Sequence, residues 1–193
     1  MKLQDIKPEG SPLVRATAAE VGSVESELGL EFPKGYLEYV TEYGEGTLAT
    51  YVRVYPPWRV LKEWKVFQKR IRKYWLWDDG SEALPKKRAL QLIIFCDTLN
   101  GDEVVFHPTA PNQIFVLPRG GGIIHEIGRD LFEALDWLCG SGILTKAVKN
   151  RSFKPFDSRA KLKPSPKAID VREVRKAGGW EAYQRQMKAQ KKR

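Results

Sequence analysis

Four short apolar segments divided by turn residues crowd into positions 90–127, and that spacing leaves the chain few ways to fold. Leu90 to Cys96 is nearly all apolar and reads as a central strand. Asp102 to His107 and Gln113 to Leu117 follow, separated by Asn100-Gly101 and Pro111-Asn112, and Ile123 to Ile127 comes after Gly120-Gly121-Gly122. Connections this short predict an antiparallel meander, because a parallel neighbour needs a crossover of a dozen residues or more.

Helical periods flank the meander. Thr17 to Glu20 is a capping box, Val21, Val24 and Leu28 fall on one face, and Gly29 stands where a left-handed stop is wanted, so Thr17 to Leu28 is the first predicted helix. Pro33 fits the first position of a second helix, with Tyr36, Leu37, Val40 and Tyr43 inward and Gly44 as its end. Leu48 to Tyr55 reads as one strand, closed by Pro56-Pro57. Val60, Trp64, Phe67, Ile71 and Tyr74 then recur at helical intervals, opposite a face with Arg59, Lys62, Lys65, Lys69, Arg70, Arg72 and Lys73 against one acid, Glu63. Arg129 to Leu138 gives the closing helix. Strands grouped together with helices outside them predict an α+β fold: an antiparallel sheet of about four to five strands, packed by an N-terminal helix pair and a C-terminal helix.

Charge divides the chain of 193 residues. Its net charge of +9 separates into −3 over residues 1–144 and +12 over 145–193, where 16 basic residues face four acids. Pro155, Pro164 and Pro166 interrupt any period there, so residues 1–144 are the predicted domain and 145–193 a basic extension, partly disordered or helical.

Other features exclude classes. Two cysteines 43 positions apart build neither a disulfide framework nor a CxxC metal site, which points to a reducing cytoplasm. Met1 to Arg15 has the charges of Lys2, Asp5, Lys7 and Glu9 and no apolar run for a secretory signal, and no stretch approaches the roughly 20 apolar residues of a membrane span. Asp97, Asp102, Glu103 and His107 are oxygen and nitrogen ligands in sequence, but side chains on alternating strand faces do not converge on a cation, and the polar hairpin reading is preferred. His107 and His125 beside Cys96 or Cys139 lack anything to orient a nucleophile and its base. Gly120 to Gly122 precedes a strand, not a helix start, and reads as a turn instead of a phosphate cradle. No cofactor, metal or catalytic residue is predicted.

Glu27-Leu28-Gly29, Phe32-Pro33, Tyr36, Leu37 and Tyr43-Gly44, followed by Asp97, Asn100-Gly101-Asp102, Val104-Val105-Phe106 and a helix with Phe132, Leu135 and Leu138, resemble the SMI1/KNR4 (SUKH) superfamily in two halves in the right order. The likeness spans about residues 17–142. Tyr43-Gly44 replaces the usual Asn-Gly after the second helix, and the basic helix and tail lie outside the pattern. The resemblance implies a protein-binding module without chemistry of its own; many bacterial members are immunity proteins that bind a toxin, often a nuclease, and eukaryotic members include regulators of cell-wall synthesis and signalling. Because a nuclease cleft is basic, the expected contact surface is acidic: Asp78, Asp79, Glu82, Asp97, Asp102 and Glu103. The alternative is a nucleic-acid-associated protein that binds through Lys62, Lys65, Lys69, Arg70, Arg72 and Lys73 of the helix and Lys161, Lys163, Arg185 and Lys188 of the tail.

Overall fold

The computed structural model describes residues 1–10, 12–74 and 84–160 and, beyond them, only 175, 176, 178, 180–182 and 185. Residues 75–83 lie outside the described residues, as does most of the basic extension beyond Ala160. Two compact units divide at Ser158/Arg159. In the second, Arg175, Lys176, Trp180 to Ala182 and Arg185 are helical.

In chain order the first unit runs β1 (Lys7–Pro8), α1 (Ala18–Leu28), α2 (Tyr36–Glu42), β2 (Gly46–Leu48), β3 (Val52–Val54), α3 (Pro57–Arg70) with a 3-10 turn at Ile71–Lys73, α4 (Lys86–Ala89), β4 (Ile93–Thr98), β5 (Glu103–His107), β6 (Ala110–Leu117), β7 (His125–Gly128), α5 (Leu131–Gly140) and β8 (Ser152–Pro155). The α+β class stands, but the sheet is larger than expected and mixed. Eight strands lie in the order β1-β8-β2-β3-β4-β5-β6-β7, all pairs antiparallel except β1 with β8. The meander β4 to β7 was legible in Asn100-Gly101 and Gly120–Gly122, but Pro111-Asn112 lies within β6 and the turn before it falls earlier, at Pro108-Thr109. What enlarges it is β8, which slots between the two earliest strands and pairs Phe153 with both Leu48 and Pro8. The sheet thus continues past Leu144, the expected end of the domain, into the basic extension.

The α1 cap forms as its sequence dictates: Glu20 N–H donates to the Thr17 hydroxyl at 3.2 Å, Thr17 N–H donates to the Glu20 carboxylate at 2.7 Å, and Gly29 ends the helix at φ +62°. The second helix starts at Tyr36, later than Pro33, because Pro33 to Gly35 form a turn first, with Tyr36 N–H donating to the Pro33 carbonyl. Tyr36, Tyr39 and Val40 point inward and Leu37 is exposed, so tyrosine at position 39 takes the place the period assigned to leucine at 37. Rings organise the core. Phe32 stacks on Tyr36 at 3.9 Å between centroids, Phe95 meets Phe106 edge-on at 5.2 Å, and Tyr43 packs 5.5 Å from Phe153. Every residue of β4 and β5 is buried, which marks them as the centre of the sheet.

Leu48 to Tyr55 is a tight hairpin, not one strand. Tyr51 N–H donates to the Leu48 carbonyl at 2.9 Å across Ala49 and Thr50, whose φ angles are +54° and +51°. A two-residue turn of this hand normally carries Asn-Gly, so an Ala-Thr turn gives no sequence signal. Thr50 is β-branched, exposed and held in a left-handed conformation that costs an L-residue about 1–2 kcal/mol. Thr50→Gly is therefore expected to stabilise the domain by about 1 kcal/mol, raising its melting temperature by roughly 2–4 °C in a thermal scan. An unchanged or lower melting temperature contradicts that account.

Candidate partner-binding surfaces

Three of the expected acidic contact residues lie inside hydrogen-bonded clusters. Cross-strand register aligns Arg53 of β3, Asp97 of β4, Glu103 of β5 and Leu117 of β6 in one row, and such partners share a face of the sheet. Arg53 grips Asp97 with two N–H donors, the Nε–Oδ1 distance being 2.7 Å. Arg59 of α3 adds a second cation, 3.5 Å from Asp97 Oδ2 and 4.0 Å from Glu45 Oε1, with its guanidinium 4.0 Å above the Tyr55 ring. Further along the helix Arg70 donates to Glu103 Oε1 at 2.8 Å, and Tyr74 donates its hydroxyl to Oε2 at 2.8 Å. Burial pushes the Glu103 carboxyl above the usual range, and the Tyr74 and Arg70 hydrogen bonds pull it part of the way back. Tyr74 itself is pushed up to about 12, by burial first and then by the Glu103 charge.

Asp102 is held differently. Its Oδ2 accepts the Thr98 hydroxyl at 2.6 Å, its own N–H donates to Thr98 Oγ1 at 3.1 Å, and Oδ1 accepts the Arg119 N–H at 3.2 Å. Asp97, Asp102 and Glu103 are each under 9% exposed. Asp97 and Glu103 stand opposite each other on the ladder, yet each of the three carboxylates already faces a donor from its own chain. A small recess of about 160 Å³ lined in part by Tyr74, Glu103 and Arg119 opens beside them. Asp78, Asp79 and Glu82 lie outside the described residues. The arginines were missed as partners, although Arg53 between two valines of a strand was the available signal: a cation on an apolar strand requires a counter-charge across the ladder.

A group of exposed carboxylates lies elsewhere, on the α1–α2 hairpin. Residues 16–44 hold six glutamates and one lysine. Glu20 serves the α1 cap, Glu25 accepts the Phe32 N–H at 2.9 Å, and Glu42 faces Arg15 at 3.6 Å. Glu27, Glu31 and Glu38 are exposed and have no ion pair among the described residues. A wide open groove of about 750 Å³ runs from the C-terminal half of α1 to the β5–β6 turn, with Glu25 and Glu31 on one side and Pro108, Thr109 and Pro111 on the other. Its described lining has no aromatic side chain and, besides the prolines, one large aliphatic one, Leu30, so it lacks the apolar enclosure of a small-molecule pocket.

The basic helix splits into two classes. Arg59 and Arg70 are consumed by the internal network, whereas Lys62, Lys65, Lys69, Arg72 and Lys73 are exposed and have no carboxylate partner among the described residues. Of the tail candidates, Arg185 is an exposed helical residue; Lys161, Lys163 and Lys188 lie outside the described residues.

No reactive constellation forms from the histidines and cysteines. His107 Nε2 lies 2.8 Å from Gln91 Oε1, its Nδ1 accepts the Thr109 N–H at 3.2 Å, and burial followed by the Arg88 charge lowers its pKa. His125 sits 5.4 Å from the Trp137 ring. Both thiols are buried, and burial pushes them up, away from the nucleophilic thiolate. Among the described residues no three His, Cys, Asp or Glu side chains are grouped to hold a metal ion, and no helix is long and apolar enough to cross a membrane.

No curated protein matches the chain. The sequence profile of the SMI1/KNR4 family (SUKH-1) matches residues 15–137, which takes in everything from the approach to α1 through most of α5. With that match over well more than half of the chain, together with the α1–α2 hairpin and the β4–β7 meander it encloses, the protein belongs to the SMI1/KNR4 (SUKH-1) family.

Proposed function

We propose that this protein is a non-catalytic, cytoplasmic binding module that neutralises a cognate toxin by covering its active site. Family membership supports protein binding, and the observation that carries the finer reading is the exposed carboxylates of Glu27, Glu31 and Glu38 on the α1–α2 hairpin, beside an open groove. A nuclease must attract phosphate and so offers a basic cleft; an inhibitor that presents carboxylates gains in association rate and in discrimination against wrong partners. The contact surface assigned is Glu27, Glu31 and Glu38 with the Glu25–Glu31 side of the groove. Asp97, Asp102 and Glu103 are left out of that surface, because a partner cation reaching them would first have to displace Arg53, Arg59, Arg70 or the Arg119 N–H.

Co-production with the product of the neighbouring upstream reading frame tests this reading. Growth is expected to be rescued, and the two proteins to elute together from a sizing column. Glu27→Lys, Glu31→Lys and Glu38→Lys combined should weaken the complex about tenfold or more, mostly through slower association that salt also slows. Undiminished toxicity with no complex overturns the proposal, and a complex indifferent to the triple reversal moves the contact off the hairpin.

A further inference from the structure

We infer that the outer face of α3 binds the phosphate backbone of nucleic acid, a second binding activity that does not depend on the toxin reading. Lys62, Lys65 and Lys69 recur at intervals of three and four and so stack along one face, and Arg72 and Lys73 continue the run through the 3-10 turn. From Lys62 to Lys73 this stripe is about 16 Å long at 1.5 Å per residue, a length over which one strand of a duplex presents about five phosphates at 3.4 Å each along the axis.

The same helix shows that the stripe is set apart. Where α3 meets the sheet its cations are matched: Arg59 by Asp97 and Glu45, Arg70 by Glu103. On the outer face none of the five has an ion pair among the described residues, so like charges remain side by side, an arrangement that disfavours the isolated helix and is relieved by an external polyanion. The composition of the face selects the kind of anion. A protein interface is depleted in lysine and needs a desolvated aromatic or aliphatic centre, and a helix that lies in a membrane surface needs a broad apolar side. Here the only exposed large apolar side chain on α3 is Val66, 52% accessible. A row of strongly hydrated ammonium groups without an apolar centre fits a phosphate backbone, read by charge and spacing and not by base sequence.

Full-length protein is titrated with a mixed-sequence DNA duplex of about 20 base pairs over a series of salt concentrations, in parallel with the variant carrying Lys62→Gln, Lys65→Gln and Lys69→Gln. These side chains are exposed and have no ion pair among the described residues, so circular dichroism and melting temperature should be unchanged in the variant. Removal of three phosphate contacts should make the slope of log K against log salt shallower by about 2.7 and lower affinity at least tenfold near 0.1 M salt, whereas the corresponding Lys→Arg variant should bind like wild type. An unchanged slope overturns the inference and leaves any binding to the +12 tail. Binding of polyglutamate or of anionic phosphatidylserine vesicles as tight as that of the duplex, and equally lost in the variant, overturns the assignment to nucleic acid in favour of an acidic protein or a lipid surface.

Discussion

A chain ended after Leu144 is expected to lose its cooperative unfolding transition, while one ended after Ser158 keeps it. The intervening residues are few but deeply set. Phe153 is fully buried, pairs with β1 and β2, and lies against the Tyr39 and Tyr43 rings. A Cβ added at Gly46 would come within 2.3 Å of the Phe153 ring, so the backbone of β2 is shaped to accept it. Just beyond, the Glu45 carboxylate, fully buried, accepts the Ser158 N–H at 2.9 Å and the Glu45 carbonyl accepts the Phe156 N–H at 3.1 Å. Loss of a buried phenylalanine alone costs about 3–5 kcal/mol. Stranding a buried carboxylate adds about 1–3 kcal/mol. A domain has about 5–15 kcal/mol in total. Urea unfolding followed by tryptophan fluorescence distinguishes the two truncations, and Phe153→Ala in the full chain should show a loss of about 3 kcal/mol or more. Equal midpoints for both truncations would refute the role given to β8.

The second large effect is expected from Asp97→Ala. This substitution leaves Arg53 and Arg59 facing each other across a part-buried site with no carboxylate between them. Removal of one member of a buried ion pair costs about 3–5 kcal/mol, and since the Arg53 side chain is 28% exposed, water recovers part of that, leaving about 2–3 kcal/mol. Glu31→Ala on the exposed hairpin should change stability by about 0.5 kcal/mol or less. Combined Arg53→Met and Asp97→Leu should be far less damaging than Asp97→Ala alone, because the two apolar groups leave no unpaired charge on that strand pair. Equal losses in these two variants would mean that the site contributes packing volume and no electrostatic pairing.

The parts of the fold written in local chemistry were legible. The Thr17–Glu20 cap, Gly29 as a left-handed stop, the α3 period and the Asn100-Gly101 and Gly120–Gly122 breaks all act over a few positions and appear where the sequence places them, whereas Pro111-Asn112, expected as a turn, lies inside β6. What was hidden depends on long-range pairing. β8 offers a single apolar residue in a basic, proline-containing stretch, and only the groove between β1 and β2 makes a strand of it. The Ala49-Thr50 turn lacks glycine and asparagine, so an apolar alternation ran straight through it. Acidic residues on the meander looked like a surface because loops usually are one; the arginines that neutralise them arrive from β3 and α3, 33 to 44 positions away. The basic face of α3 was legible as a pattern, although its division into ion-paired and unpaired members follows from the position of the sheet.

The parallel pairing of β1 with β8 also bears on how the protein is made. Lys7 sits beside Ser152, so the outer end of the sheet cannot close until nearly all of the first unit has left the ribosome. Until then β2 presents an unpaired backbone edge, the kind of edge that recruits strands from other chains. The nascent chain therefore passes through a vulnerable interval set by translation speed, and slower elongation through residues 145–158 should lengthen it and increase the share of protein lost to aggregation.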